Sequence, residues 1–200
     1  MKFILYTSMG LLSILLWLAI IPFLRLKKKK SFVYVLFFTL FYIYMVKVLD
    51  YTLFQFQSLL LLKYFMPQLI LNGQAAGKGI NLVPLITLTA EDLKTSLLNI
   101  LLFIPFGFGL PFITTFRMKQ VVLTGALFSI TIEVLQLVSG LLAKMTFRIA
   151  DINDVIFNTI GAVVGYFLFI GFIRLYRHLN LHRKSSANPI LNYIAERPQL

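Results

Sequence analysis

The chain is built from long apolar runs separated by short polar ones. Residues 3–24, 32–54, 95–116, 121–143 and 155–176 carry almost no charge. Each run holds about 22 residues, roughly 33 Å as a helix, which suits a hydrocarbon core of about 30 Å. The pattern predicts an all-α, polytopic helical membrane protein with about five transmembrane helices. The first run is read as a retained span. It is long, and no small-residue cleavage site precedes the basic cluster at 25–30. A further apolar stretch, SLLLLKYFMPQLIL (58–71), is shorter and interrupted by Lys63 and Pro67. It reads as an interfacial or re-entrant segment, because a full crossing there would flip every later loop. NGQAAGKGI (72–80) reads as a flexible loop, and TAED (89–92) as a helix start, with Thr89 as cap and two acids in the first turn.

Charge adds a direction to this picture. Arg25 with Lys27–Lys30, Arg117 with Lys119, and Arg174, Arg177, Arg183 and Lys184 all fall on one side of a five-span chain. The positive-inside bias makes that side cytoplasmic, with the N-terminus outside and the C-terminus inside. The membrane domain is then 1–176, followed by a basic cytoplasmic tail, 177–200. The net charge of +12 is thereby assigned to topology, not to nucleic acid. At 59% hydrophobic and 13% charged, the 200 residues leave no room for a second domain of ordinary size. The absence of Cys excludes disulfides, thiolate metal sites and Cys nucleophiles.

Against this background a few polar residues stand out. Counting along the fourth helix puts Glu133 roughly 10 Å below the outer surface; the same count puts Asn99 about 5 Å down in the third helix and Asn158 at a similar depth to it in the fifth. Ser129, Glu133, Gln136 and Gly140 share one helical stripe; Asp154, Asn158, Gly161 and Gly165 share another, which Asp151 extends backwards. Gly161 and Gly165 form a GxxxG pair that admits a neighbouring helix, read as the fourth. Pro105, with Gly107 and Gly109 nearby, predicts a kink in the third helix. The stripes would line a polar cavity open to the outer leaflet, with Arg148, Asp151 and Asp154 at its rim.

Each of these residues also has a plainer reading. Glu133 could tie helices together as a paired structural group, although a carboxyl at that depth is costly. Asp151 and Asp154 could cap the fifth helix, and Arg148 could sit among headgroups. Lys47 and Asp50 read as a structural i, i+3 ion pair, and the 27–30 run as a topology and anionic-lipid signal. His178 and His182 lie across the membrane from the carboxylates, which argues against a Ser-His-Asp triad. Oxygen ligands of this kind suit Mg²⁺ or Ca²⁺, but the spacing is no metal signature, and no cofactor is expected.

NLVPL (81–85), NILLFIPFG (99–107), IEVLQL (132–137) and RIADINDVIFNTIGAVVGY (148–166) occur in that order. Together they resemble the VanZ-like family of bacterial membrane proteins over about residues 80–168, with Leu85 where the family usually has Phe. The resemblance implies association with resistance to glycopeptide antibiotics, chiefly teicoplanin and related lipidated compounds, in Gram-positive bacteria. It carries over Asn81, Pro84, Asn99, Pro105, Gly107, Glu133, Gln136, Arg148, Asp151, Asp154, Asn158 and Gly161.

Three functions are compatible with these residues. The preferred one is a non-enzymatic binding protein of the cell membrane. Its ligand-binding residues Asn81, Asn99, Glu133, Gln136, Arg148, Asp151, Asp154 and Asn158 would hold the headgroup of a lipid-linked wall precursor or a lipidated glycopeptide. The alternative is an intramembrane enzyme using Glu133 with Asp151 or Asp154 in acid/base hydrolysis or transfer on a lipid-linked substrate. A proton-coupled transporter is disfavoured by five spans without internal symmetry. Ligand, turnover and oligomeric state stay open.

Overall fold

The computed structural model describes residues 2–65, 80–84, 90–143, 150–180 and 188–197. Its helices are α1 (Lys2–Pro22), α2 (Phe32–Phe65), α3 (Ala90–Ile113), α4 (Met118–Ala143), α5 (Ile152–Asn180) and α6 (Pro189–Ala195), and a π-helical turn, Phe23–Lys27, ends α1. Two short strands, β1 (Ile80–Asn81) and β2 (Ala150–Asp151), pair in parallel. The molecule is thus all-α and polytopic. Five helical segments are long and apolar enough to cross a membrane: Gly10–Lys27, Phe32–Leu53, Leu93–Ile113, Met118–Ser139 and Ile152–Leu179.

The helix ends differ from the sequence reading in two places. α2 runs without a break into the 58–71 stretch as far as Phe65, so residues 58–65 continue the helix of the second span beyond the apolar segment that ends at Leu53. The reason is local: no Pro or Gly lies between Phe32 and Phe65 to stop the helix. Residues 66–71 lie outside the described residues, as does Thr89, although α3 starts at Ala90, within TAED. At the other end of the chain, α5 continues past 176 to Asn180, and part of the expected tail is the helix α6. The Asn188 side chain caps α6 by accepting from the Ile190 N–H, and Pro189 follows at the first helical position. That cap-plus-proline pair is a helix-start signal already present in the sequence.

Packing centres on α3 and α5, which run parallel. A Cβ at Gly161 would overlap the Ile100 carbonyl oxygen, and one at Gly165 would overlap that of Ile104. From the other side, a Cβ at Gly107 would overlap the Ala162 carbonyl oxygen. The GxxxG pair therefore admits α3, not the fourth helix as the stripe suggested. A 3–4 stripe is roughly 100° wide, enough to face two neighbours. Gly161 and Gly165 turn to α3, whereas Ala162 and Asn158 turn to α4, meeting Gly125 and Ser129. Phe103, Phe106 and Phe128 fill the space among the helices, with ring centroids 5.7–5.9 Å apart. Pro105 lies on the exposed side of α3, which continues through it to Ile113. α1 rides on α2, joined by Trp17 Nε1 donating to Thr39 Oγ1 (3.0 Å) and Tyr42 donating to the Ser13 carbonyl (2.7 Å).

The basic groups gather at one end of this bundle. There α6 closes the end of α3: the Tyr193 hydroxyl and Arg197 Nη1 both donate to the Phe112 carbonyl, at 2.6 and 3.1 Å. Carbonyls in the last turn of a helix lack an internal partner, and a cation there suits the helix dipole. Tyr193 is stacked on Phe37 and covered by the Arg197 guanidinium, and burial pushes its phenol pKa up. Tyr193→Phe should cost about 1 kcal/mol, a fall of roughly 2–4 °C in melting temperature for a chain of this size, read in detergent. An unchanged melting temperature would show that α6 does not dock.

Candidate functional site

The carboxylates lie at the opposite end of the bundle, where four segments meet. β1 and β2 pair in register Asn81↔Asp151, and the Asn81 amide donates to Asp151 Oδ1 at 3.1 Å. The same Asp151 oxygen accepts the Asn153 N–H at 2.8 Å, so Asp151 caps the start of α5. The Asp151 N–H in turn donates to Glu133 Oε2 of α4 at 3.0 Å. From α3, the Asn99 amide donates to Asp154 Oδ1 at 2.6 Å. One turn deeper, the Asn158 amide donates to Ser129 Oγ at 2.8 Å. Gln136 reaches α2, its amide donating to the Thr52 carbonyl at 3.0 Å.

These bonds sort the residues by depth. Asn81, Asn99, Asp151 and Asp154 are half-buried and form a rim. Glu133 (7% exposed), Asn158 (4%) and Ser129 are buried beneath it, and Gln136 (9%) is buried to one side against α2. Two acceptors near the rim, Gln136 Oε1 and Asn158 Oδ1, are buried without a hydrogen-bond partner among the described residues. A buried acceptor left unsatisfied costs about 1–3 kcal/mol, so both oxygens call for a donor from water or a ligand. The arrangement is rich in acceptors: three carboxylates, each already holding a donor, and these two amide oxygens. Chemically it suits groups that bring N–H or O–H donors.

Of the residues predicted from sequence, Asn81 and Glu133 are linked through Asp151, and Asn99 and Asp154 form a second pair. Asn158 lies below and Gln136 to one side, on separate bonds to Ser129 and to the Thr52 carbonyl. Arg148 falls outside the described residues, and Pro84 is exposed beyond β1. Gly107, Gly161 and Gly165 belong to the α3–α5 crossing beneath the site. Sequence reasoning missed the β1–β2 pairing and the Thr52 carbonyl. Asn81 gave a signal for the first, since its side chain also accepts the Val83 N–H (3.1 Å) in a local turn. A backbone carbonyl gives none. Among the described residues no three His, Asp or Glu side chains group as ion ligands. Lys47 and Asp50 do pair, at 3.8 Å.

In comparisons with known proteins, the chain matches the family model described as VanZ/LLP1 over residues 3–175. The match takes in the first two spans, which the sequence motifs leave out. No curated protein and no solved structure matches the chain.

Proposed function

This chain belongs to the VanZ/LLP1 family, and from that premise we propose that it is a cell-membrane protein that binds a lipid-linked or lipidated headgroup at the outer face. The ligand is a wall precursor or a teicoplanin-type glycopeptide, which links the chain to resistance in a Gram-positive envelope. One observation carries this reading: a half-buried rim of Asn81, Asn99, Asp151 and Asp154 stands near two buried acceptors without a partner among the described residues, one on Asn158 below it and one on Gln136 beside α2. Amines and hydroxyls of such a headgroup supply the missing donors. Arg148, placed by sequence beside Asp151, would meet a phosphate or carboxylate.

The experiment is direct. Purified protein in vesicles holding a lipid-linked wall precursor should retain that lipid unchanged, and its affinity should fall at least tenfold with Asp154→Asn. New product that depends on Glu133 would replace binding with intramembrane catalysis as the function.

The reading also fixes an orientation. Arg117, Lys119 and Arg174 share one groove, and Arg177 and Arg197 meet α3 or α6 at the same end. The positive-inside bias places that end in the cytoplasm. The chain has no Cys, so single cysteines report cleanly. Ser31→Cys and Ser185→Cys should be shielded from an impermeant thiol reagent in intact cells, and Gly77→Cys should react. Labelling at position 185 from outside would sink this orientation and the outward-facing site with it.

A further inference from the structure

Between the start of α4 and the second half of α5 lies a groove of about 740 Å³, lined by Arg117, Lys119, Tyr166, Phe167, Ile170 and Arg174 among others. Among the described residues, no acidic side chain lines it. The Lys47–Asp50 ion pair is far from this end, so it does not neutralise the three cations. The walls are ordered by polarity. Phe167, Ile170 and Arg174 stand at i, i+3 and i+7, hence on one face of α5. Seven residues are about 10 Å of helix. An apolar track with exposed Phe167 thus leads from within the span to a cation at its end. Arg117 and Lys119 flank that end from the start of α4.

We propose that this groove binds an anionic phospholipid, its phosphate held by Arg117, Lys119 and Arg174 and one acyl chain lying along Phe167 and Ile170. The charge calls for a phosphate. The apolar track continuous with the cations calls for one attached to a hydrocarbon chain, not a free ion. Basic pockets between transmembrane helices take lipid phosphates in this way. The site is independent of the carboxylate cluster, which lies at the other end of the bundle.

The test uses the full chain in detergent, with lipid binding followed by native mass spectrometry and by the shift in melting temperature. Phosphatidylglycerol should bind at least tenfold more tightly than phosphatidylcholine. Each basic residue near an anionic headgroup is worth a factor of about five. Arg117→Gln/Lys119→Gln/Arg174→Gln should therefore abolish that preference, and Arg174→Gln alone should cut it several-fold if the triple variant does not fold. Lys27→Gln/Lys28→Gln/Lys29→Gln removes as much charge outside the groove, from a run that itself attracts anionic lipid, and should weaken the preference far less than the groove variant does. Phe167→Ser should weaken binding with every cation intact. The proposal is overturned if the parent shows no preference or if the 27–29 variant loses it equally. It is also overturned if Phe167→Ser changes nothing, or if inorganic phosphate stabilises the protein as well as the lipid does.

Discussion

Gly165→Ala should leave little folded protein, whereas Gly171→Ala in the same helix should be neutral or slightly stabilising. Both add one methyl group to α5. At Gly165 the new Cβ would overlap the Ile104 carbonyl oxygen and sit 2.8 Å from the Phe108 nitrogen. Both are backbone atoms of α3, so no side chain can swing aside. Retreat of α5 is blocked behind: Ala162 already closes on Gly125 of α4, and Asn158 is bonded to Ser129. Overpacking commonly costs about 1–3 kcal/mol, and this crossing, rigid on both sides, should reach about 3 kcal/mol or more. Gly171 has nothing within 4 Å of its Cβ position, and Ala is favoured over Gly inside a helix by up to about 1 kcal/mol. The two variants are compared by yield of monodisperse protein and melting temperature in detergent. Equal stability would mean that α3 and α5 do not cross at these glycines.

That contrast also marks how far the sequence can be read. The five spans are legible because burial in hydrocarbon demands unbroken apolar runs, and this chain interrupts them mainly near their ends. Gly161 and Gly165 announce a close crossing but not its partner, since a helical stripe is wide enough to face two helices. Their partner is set by Gly107, whose own opening toward Ala162 only three-dimensional packing reveals. The end of α2 was obscured by Lys63, which a long helix tolerates beyond the membrane core. α6 was legible in Asn188-Pro189 but masked by the charge around it. The candidate site was legible in type and order, because Asn99, Glu133, Asp151 and Asp154 are polar where apolar residues are expected. Its wiring was not, because it depends on backbone groups: the Asp151 N–H, the Thr52 carbonyl and the β1–β2 pairing.

Glu133→Gln and Asp154→Asn should both reach the membrane in normal amounts and lose the protection that the parent confers. Each change keeps the shape of the side chain and one acceptor oxygen. The new amide at position 133 can still accept the Asp151 N–H, and the one at position 154 can still accept from Asn99, as the carboxylates do at 3.0 and 2.6 Å. What disappears is negative charge. Each amide also replaces one carboxylate oxygen by an NH₂ donor, so with the charge gone the site attracts a ligand's amines less well. The architecture should survive, with melting temperatures within a few degrees of the parent, roughly the effect of 1 kcal/mol. The readout is tolerance to teicoplanin in a sensitive Gram-positive host, with a smaller effect on vancomycin. Both variants should fall to the level of the host without the protein. Loss with Glu133→Gln alone would assign the function to acid/base or proton chemistry at the buried group, because the rim charge would then be dispensable. If both protect as well as the parent, the carboxylates only fasten α3, α4 and α5 together, and the binding site fails. If the parent itself gives no protection, the resistance role is wrong for this chain, and the vesicle experiment alone decides whether the acceptor-rich site takes another headgroup.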